Sequence, residues 1–224
     1  KKENFNFLFV DEEILQIQKN RKKLNSIEKK LILSNDKTLD TCLNKRKFHT
    51  FCIKNKINTP SFSYCKNMIA KPIYGRGGDN IFNISNKGDY NFFKEYTIDC
   101  LFDRNGELIF ALPRIRMVHK GVSIVGKTVK DKRIETFIKE LSRNMIFFGP
   151  INVQLIRDSV GKLWILEINP RLSGSIEFSI RAGFNPLSYF IDKQKINLNK
   201  IKYNRIFKRS FIINEEWKFL KKVH

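Results

Sequence analysis

Histidine is nearly absent: His49, His119 and His224 are the only three in 224 residues. That excludes a histidine-rich metal site and argues against a Ser–His–Asp triad, whose base is an imidazole. Cysteine is scarce as well. Cys42, Cys52, Cys65 and Cys100 stand at wide, irregular spacings, which excludes CxxC zinc sites and fits reduced thiols. No run approaches the ~18 uninterrupted apolar residues of a membrane span, and the lysine-rich N-terminus lacks a signal-peptide profile. Acidic residues are few, 22 Asp+Glu against 43 Lys+Arg, for a formal charge of +21. Together these absences predict a soluble, cytoplasmic protein with no membrane partner.

The length suits one domain of ordinary size or two small ones, with a core that needs no disulfide staples. A chain that is 42% hydrophobic and 12% aromatic is too apolar for a disordered basic tail. The positive charge invites a nucleic-acid reading, because dense Lys/Arg releases counterions from phosphate. Here, however, lysine is over-used together with Asn, Ile and Phe and is scattered rather than striped. No RNP, KH or helix-turn-helix pattern accompanies it. Nucleic acid is therefore not the expected main partner.

Periodicity outlines the elements. Residues 11–30 carry Ile14, Ile17, Leu24 and Ile27 on one helical stripe, with acids at the front. Leu31–Leu33 reads as a buried strand. Asp36 and Asp40 bracket a short helix, and Leu43–Lys54 makes another that stops before Asn58-Thr59-Pro60. Met68–Pro72 is a brief strand feeding a glycine loop, and Ile81–Ile84 resumes an extended run. Tyr96–Phe102 and Glu107–Leu112 form a hairpin across Asp103-Arg104-Asn105-Gly106, since Asn-Gly is a strong hairpin signal. A helix over 131–144 turns Ile134, Phe137, Ile138 and Leu141 inward. A second hairpin joins Ile151–Ile156 to Leu163–Ile168, and Ile176–Ala182 is a helix closed by Gly183. Hairpins with helices between them predict an α+β class with antiparallel sheet, not a doubly wound parallel sheet.

Chemistry concentrates in the second hairpin. Residues two apart on a strand face the same way, so Glu167 and Asn169 project together, with Arg171 at the strand end. The turn at Asp158–Gly161 brings Gln154 roughly opposite residue 166, beside Glu167. Three oxygen-bearing groups with one formal charge suit Mg²⁺, which takes one or two protein carboxylates and completes its shell from phosphates and water. An arginine just beyond would meet an anion held beside the metal. Upstream, Gly75-Arg76-Gly77-Gly78 follows a strand carrying Lys71, and such a loop lets backbone N–H groups approach phosphate. Arg114 and Arg116 are two apart at a strand end and form a candidate clamp for an anionic acceptor. Gly121–Thr128 formally fits GxxxxGK[ST], but it follows an antiparallel hairpin instead of opening a βαβ unit, so it reads as coincidence.

These residues resemble the ATP-grasp ligases, nearest the carbamoyl-phosphate-synthase-like branch. The matching blocks run in family order from about residue 30 to 190: Cys42-Leu43-Asn44-Lys45, Ile57–Pro60, Ala70-Lys71-Pro72 with its glycine loop, Lys94–Asp99, Pro113–Arg116, Gly149–Gln154 and Leu166–Arg171. The resemblance implies an ATP-grasp fold, two α+β subdomains enclosing the nucleotide. Its expected division is 1–35 as the tail of a preceding Rossmann-like domain, 36–95 as the N-terminal subdomain with the lid loop, and 96–224 as the C-terminal subdomain with the metal site. It assigns ATP phosphates to Lys45 and Lys71, the lid to Gly75, Arg76, Gly77 and Gly78, and the ribose to Glu95. Gln154, Glu167 and Asn169 match the family's magnesium ligands, with Mn²⁺ as a substitute metal. Arg171 and Lys71 take the catalytic roles, and Arg114, Arg116 and Arg171 the acceptor. The implied reaction turns a carboxylate into an acyl phosphate, which an amine then attacks. The expected partners are therefore small-molecule carboxylate and amine substrates, and the family admits a homodimer. A non-catalytic relic that binds nucleotide or a partner, a basic nucleic-acid-binding protein and a P-loop phosphotransferase are the alternatives.

The chain also departs from the family. The connection between Pro60 and Lys71 is short, and only the ten residues Ser85–Lys94 separate Ile84 from Glu95, where relatives place a helix and the adenine hinge strand. No adenine-hinge residue can be assigned. The expectation is that the residues here are a subset of a longer protein.

Overall fold

Lys94 opens an alternation of polar and apolar residues, and it becomes the central strand of a sheet. The computed structural model describes residues 10–24, 30–60, 69–70, 82–83, 94–120 and 122–210. In chain order the elements are α1 (Asp11–Asn20), α2 (Asp36–Leu43), α3 (Lys45–Lys54), β1 (Ile69–Ala70), β2 (Phe82–Asn83), β3 (Lys94–Phe102), β4 (Leu108–Lys120), β5 (Val122–Thr128), α4 (Lys132–Asn144), β6 (Gly149–Arg157), β7 (Leu163–Asn169), α5 (Ile176–Arg181), α6 (Pro186–Ile191) and β8 (Ile206–Lys208). β1 and β2 pair with each other. The other six strands form one antiparallel sheet in the order β7-β6-β3-β4-β5-β8. The expected α+β class with antiparallel sheet is what folds.

The two faces of this sheet differ. Tyr96, Ile98, Cys100 and Phe102 of β3 join Ile151, Val153 and Leu155 of β6 in the main core, covered by Ile134, Ile138 and Leu141 of α4 and by Phe48 and Cys52 of α3. On the opposite face Leu101 and Leu112 lie under Phe184, Phe190 and Ile201. That apolar cover protects only one end. The rest of the face carries the polar residues of every central strand, and it is there that a site can form.

Local chemistry explains the element ends. Asp131 accepts hydrogen bonds from the backbone N–H groups of Arg133 and Ile134 and so starts α4. Asn44 does the same for Arg46 and Lys47. The expected helix over Leu43–Lys54 is α3, which starts two residues later at Lys45, while the short helix before it, α2, runs on to Leu43. α1 ends at Asn20, followed by a 3₁₀ turn over Arg21–Lys23. The expected helix over 11–30 is shorter because Asn20, the residue after Lys19, leaves helical geometry, and Ile27 lies outside the described residues. Leu31–Leu33 is buried but is no regular strand; Leu31 and Leu33 pack with Ile14 and Leu39. The turn between β6 and β7 is held by Asp158, whose carboxyl lies below the usual carboxylate range because the Trp164 indole N–H donates to it, with Lys162 and Val160 N–H groups adding to the effect.

The three described cysteines, Cys42, Cys52 and Cys100, are unpaired and buried. Burial pushes the Cys52 thiol up to about 12 and raises Cys42 and Cys100 as well, so all three are neutral core groups. Cys65 lies outside the described residues, as do Phe62 and Tyr64. No described helix is long and apolar enough to cross a membrane.

Gly149 opens β6 with a positive φ of 84°, and a Cβ there would stand 2.5 Å from Ile32 Cγ2. Both the left-handed backbone and the close approach demand glycine. Gly149→Ala is expected to cost about 2 kcal/mol or more, since overpacking adds to the backbone strain. Urea unfolding of parent and variant measures it; equal midpoints would contradict this account.

Candidate functional site

Register assembles the polar face. Across β3 and β6, Thr97 pairs with Gln154 and Asp99 with Asn152. Across β6 and β7, Gln154 pairs with Glu167 and Asn152 with Asn169. Directly paired residues share a face, so Glu95, Thr97 and Asp99 line up with Asn152, Gln154, Glu167 and Asn169. Gln154 faces Glu167 itself, not residue 166, because the register slips between Gln154 and Leu155. This bulge is the extra residue that turn counting could not supply.

Within that cluster the donors are all oxygen. The Asn169 amide nitrogen donates to Glu167 Oε1 at 3.1 Å and to Asn152 Oδ1 at 3.3 Å, so neither bond uses its amide oxygen. Glu167 supplies one carboxylate, and Gln154 supplies a second amide oxygen. Such a set, with one charge and no sulfur or imidazole, fits a hard divalent cation that brings phosphate and water ligands with it. Asp99 Oδ1 and Asn152 Nδ2, on directly paired residues, are buried without a hydrogen-bond partner among the described residues.

The arginines are placed in three different ways. Arg116 forms an ion pair with Glu95 and reaches Gln154 Oε1 at 3.5 Å. It thereby links the expected ribose-binding carboxylate to the oxygen cluster. Arg114 was expected to share an exposed clamp with Arg116, and the structure corrects this. Its side chain is 1% exposed and donates from Nε and Nη2 to Asp99 Oδ2 at 3.0 and 2.8 Å. Two further donors reach Ser175 and Ser173, and Ser179 also bonds Asp99. α5 and the segment before it close over this pair, which leaves no guanidinium edge for an acceptor. Arg171 follows β7 and is bound bidentately by Asp11 of α1, Nε to Oδ1 at 2.6 Å and Nη2 to Oδ2 at 3.1 Å.

Lys45, the first residue of α3, lines a narrow cavity with Asp11, Glu167 and Asn169. Lys71, Gly75, Arg76, Gly77 and Gly78 lie outside the described residues, as do Met68 and residues 71–72 of the strand before them. Of the extended run Ile81–Ile84, only Phe82–Asn83 is described, and residues 85–93 lie outside as well.

From Val122 to Thr128 the P-loop-like segment is strand β5. Gly126 and Lys127 pair with Arg116 and Ile115 on one side and with Phe207 and Ile206 on the other. The Thr128 hydroxyl donates to Lys202 O at 2.7 Å and accepts from Arg205 N–H at 3.2 Å. Neither the backbone nor the hydroxyl is shaped to cradle phosphate.

Sequence reading missed six participants: Asp11, Asp99, Asn152 and the three serines Ser173, Ser175 and Ser179. Asp99 and Asn152 carried a usable signal, because each stands at an even spacing from a residue already selected, Glu95 and Gln154. Asp11 carried none; it is 160 residues from its partner.

A family model described as ATP-grasp in the biosynthetic pathway with Ter operon matches residues 93–216, more than half of the chain. Among solved structures, the phosphoribosylaminoimidazole carboxylase ATPase subunit from Aquifex aeolicus is 20% identical with a TM-score of 0.64, over 90% of this chain and 63% of its own. The biotin carboxylase domain of 2-oxoglutarate carboxylase from Hydrogenobacter thermophilus, in complex with MgADP and bicarbonate, is 13% identical with a TM-score of 0.66, over 85% and 55%. The L-amino acid ligase from Bacillus licheniformis is 16% identical with a TM-score of 0.57, over 77% and 52%. At such identities the likeness is one of fold. The chain spans less than two thirds of the length of each of these structures. No curated protein sequence matches it significantly.

Proposed function

Because the chain belongs to the ATP-grasp family, we propose that it is part of an ATP- and Mg²⁺-dependent ligase that joins a carboxylate to an amine. The observation that carries this reading is the oxygen cluster of Gln154, Glu167 and Asn169, set between Glu95 on one side and Lys45 and Arg171 on the other. The motifs Lys94–Asp99 and Leu166–Arg171 support a place near the carbamoyl-phosphate-synthase-like branch. The bicarbonate in the Hydrogenobacter complex keeps bicarbonate among the candidate acids.

In this reading the carboxylate oxygen attacks the γ-phosphorus of ATP, the bond to the β-phosphate oxygen breaks, and ADP departs. The amine nitrogen then attacks the acyl carbon, phosphate leaves, and the amine proton passes to solvent or phosphate. Glu167, with the amide oxygens of Gln154 and Asn169, would hold Mg²⁺, which neutralises phosphate charge when bound. Lys45 and Lys71 bind phosphates, Glu95 orients the ribose, and Arg171 meets the transferred phosphoryl group. Gly75–Gly78 would cover the phosphates. None of this needs an imidazole base, because phosphoryl transfer runs on positioning and charge stabilisation. Arg116 is read as a holder of Glu95 rather than as a direct acceptor contact.

Two measurements test the reading. Incubating the protein with MgATP and a panel of carboxylic acids and amines should reveal one pair that raises ADP release and yields an amide by mass spectrometry. ADP release that no acid stimulates would sink the ligase. Titration with ATP separates the two phosphate motifs. Lys71→Ala is expected to weaken ATP binding about 10- to 100-fold, the worth of a charge-assisted phosphate contact, while Lys127→Ala leaves it nearly unchanged. The reverse pattern would favour the P-loop.

A further inference from the structure

We propose that Asp11 is a positioning residue that aims Arg171 at the transferred phosphoryl group, an inference that rests on the reading of Arg171 given above. A guanidinium has five N–H donors. Three are taken: Nε and one of Nη2 by the Asp11 carboxylate, and one of Nη1 by the Leu172 carbonyl at 3.1 Å. Among the described residues, one N–H on each terminal nitrogen has no acceptor. An incoming oxyanion is the kind of acceptor that such charged donors bind.

Asp11 is well placed to fix the guanidinium. It is the first residue of α1, and Ile14, one turn later, is fully buried against Leu31, Leu33 and Leu39. The first turn is braced further by Val10 N–H donating to Glu13. The carboxylate therefore stands on an anchored helix, whereas a long arginine side chain at a strand end would otherwise sample many rotamers. Both groups are largely buried, 12% exposed for the Arg171 side chain and 17% for Asp11, so solvent screens the pair weakly. Asp11 also borders the narrow cavity that Lys45, Glu167 and Asn169 share. The orientation of a group in the C-terminal part of the chain is thus set from the N-terminal helix. Asp11 engages Nε and one N–H of Nη2 and leaves a donor on each terminal nitrogen, so it supports the incoming anion without taking every donor.

The test uses the full chain, MgADP and orthovanadate, a mimic of the transferring phosphoryl group. In the parent, orthovanadate should tighten MgADP binding, and Arg171→Ala should abolish that tightening. Asp11→Asn keeps the shape but loses one acceptor, and should reduce the tightening about tenfold, the usual cost of removing an orienting partner. The double variant Asp11→Asn/Arg171→Ala should match Arg171→Ala alone. MgADP without orthovanadate should bind the parent and Asp11→Asn equally. If Asp11→Asn keeps or improves the tightening while Arg171→Ala loses it, the positioning role fails and the arginine reading stands. If Asp11→Asn weakens MgADP alone by the same factor, the role is structural and the proposal is overturned. No tightening in the parent, or tightening retained by Arg171→Ala, overturns the arginine reading and the positioning role with it.

Discussion

Glu167→Gln is expected to lower ADP formation about a thousandfold while the protein stays folded. Glu167 is the only carboxylate in the oxygen cluster, so in the proposed reaction it is the one side chain of the three that opposes the cation with a formal charge. The substitution is nearly isosteric. An amide oxygen can still accept from Asn169 Nδ2, the 3.1 Å bond seen in the structure, so β7 keeps its local packing. What disappears is charge, and a lost charge-stabilising ligand costs several kcal/mol of transition-state stabilisation, roughly a thousandfold in rate. Mg²⁺ titration should show the affinity falling in parallel, and a near-parent melting temperature would confirm that the fold is unaffected. Unchanged turnover would remove Glu167 from the metal site.

Asp99→Asn is expected to destabilise the protein by about 3–5 kcal/mol, the usual cost of leaving one member of a buried ion pair uncompensated. The side chains of Asp99 and Arg114 are 2% and 1% exposed. At that burial, water cannot reach Arg114 to replace the lost carboxylate. Ser173 and Ser175 satisfy two of its N–H donors but supply no charge, and the Phe178 ring 5.6 Å away compensates only in part. Arg114→Met should be damaging in the same way, because it strands the Asp99 carboxylate. The double variant Asp99→Asn/Arg114→Met should be less destabilised than the sum of the singles, since no buried charge remains. Urea unfolding of the three variants checks this. Additive losses would show that the two groups are not coupled, and a stability unchanged in either single variant would contradict the buried pair.

These two sites differ in how far the sequence announced them. Glu167 and Asn169 were legible from strand periodicity, and Gln154 from the length of the hairpin, with an error of one position at the bulge between Gln154 and Leu155. Arg114 was read in the wrong environment. A charged side chain at the expected strand end would be solvated, but Arg114 lies inside β4, and nothing local says that α5 folds over it. Its partner Asp99 lies 15 residues away, close enough to find only once β3 and β4 are known to pair in register. The boundary at Asn44 was misplaced by two residues for a subtler reason: the residues on both sides of it are helical, and the cap hydrogen bonds fix where α2 ends and α3 begins.

By itself, the sequence determined the α+β class, the antiparallel hairpins, the apolar face under α4 and the run of oxygen-bearing residues at the end of β7. Each depends on spacing within a few residues, where backbone geometry leaves little freedom. Tertiary structure alone decided that Arg114 is sealed with Asp99, that Gly126–Thr128 is a strand held by β8, and that Asp11 grips Arg171. These contacts join elements far apart in the chain. They are selected by which faces must leave water together, and no local pattern encodes that choice.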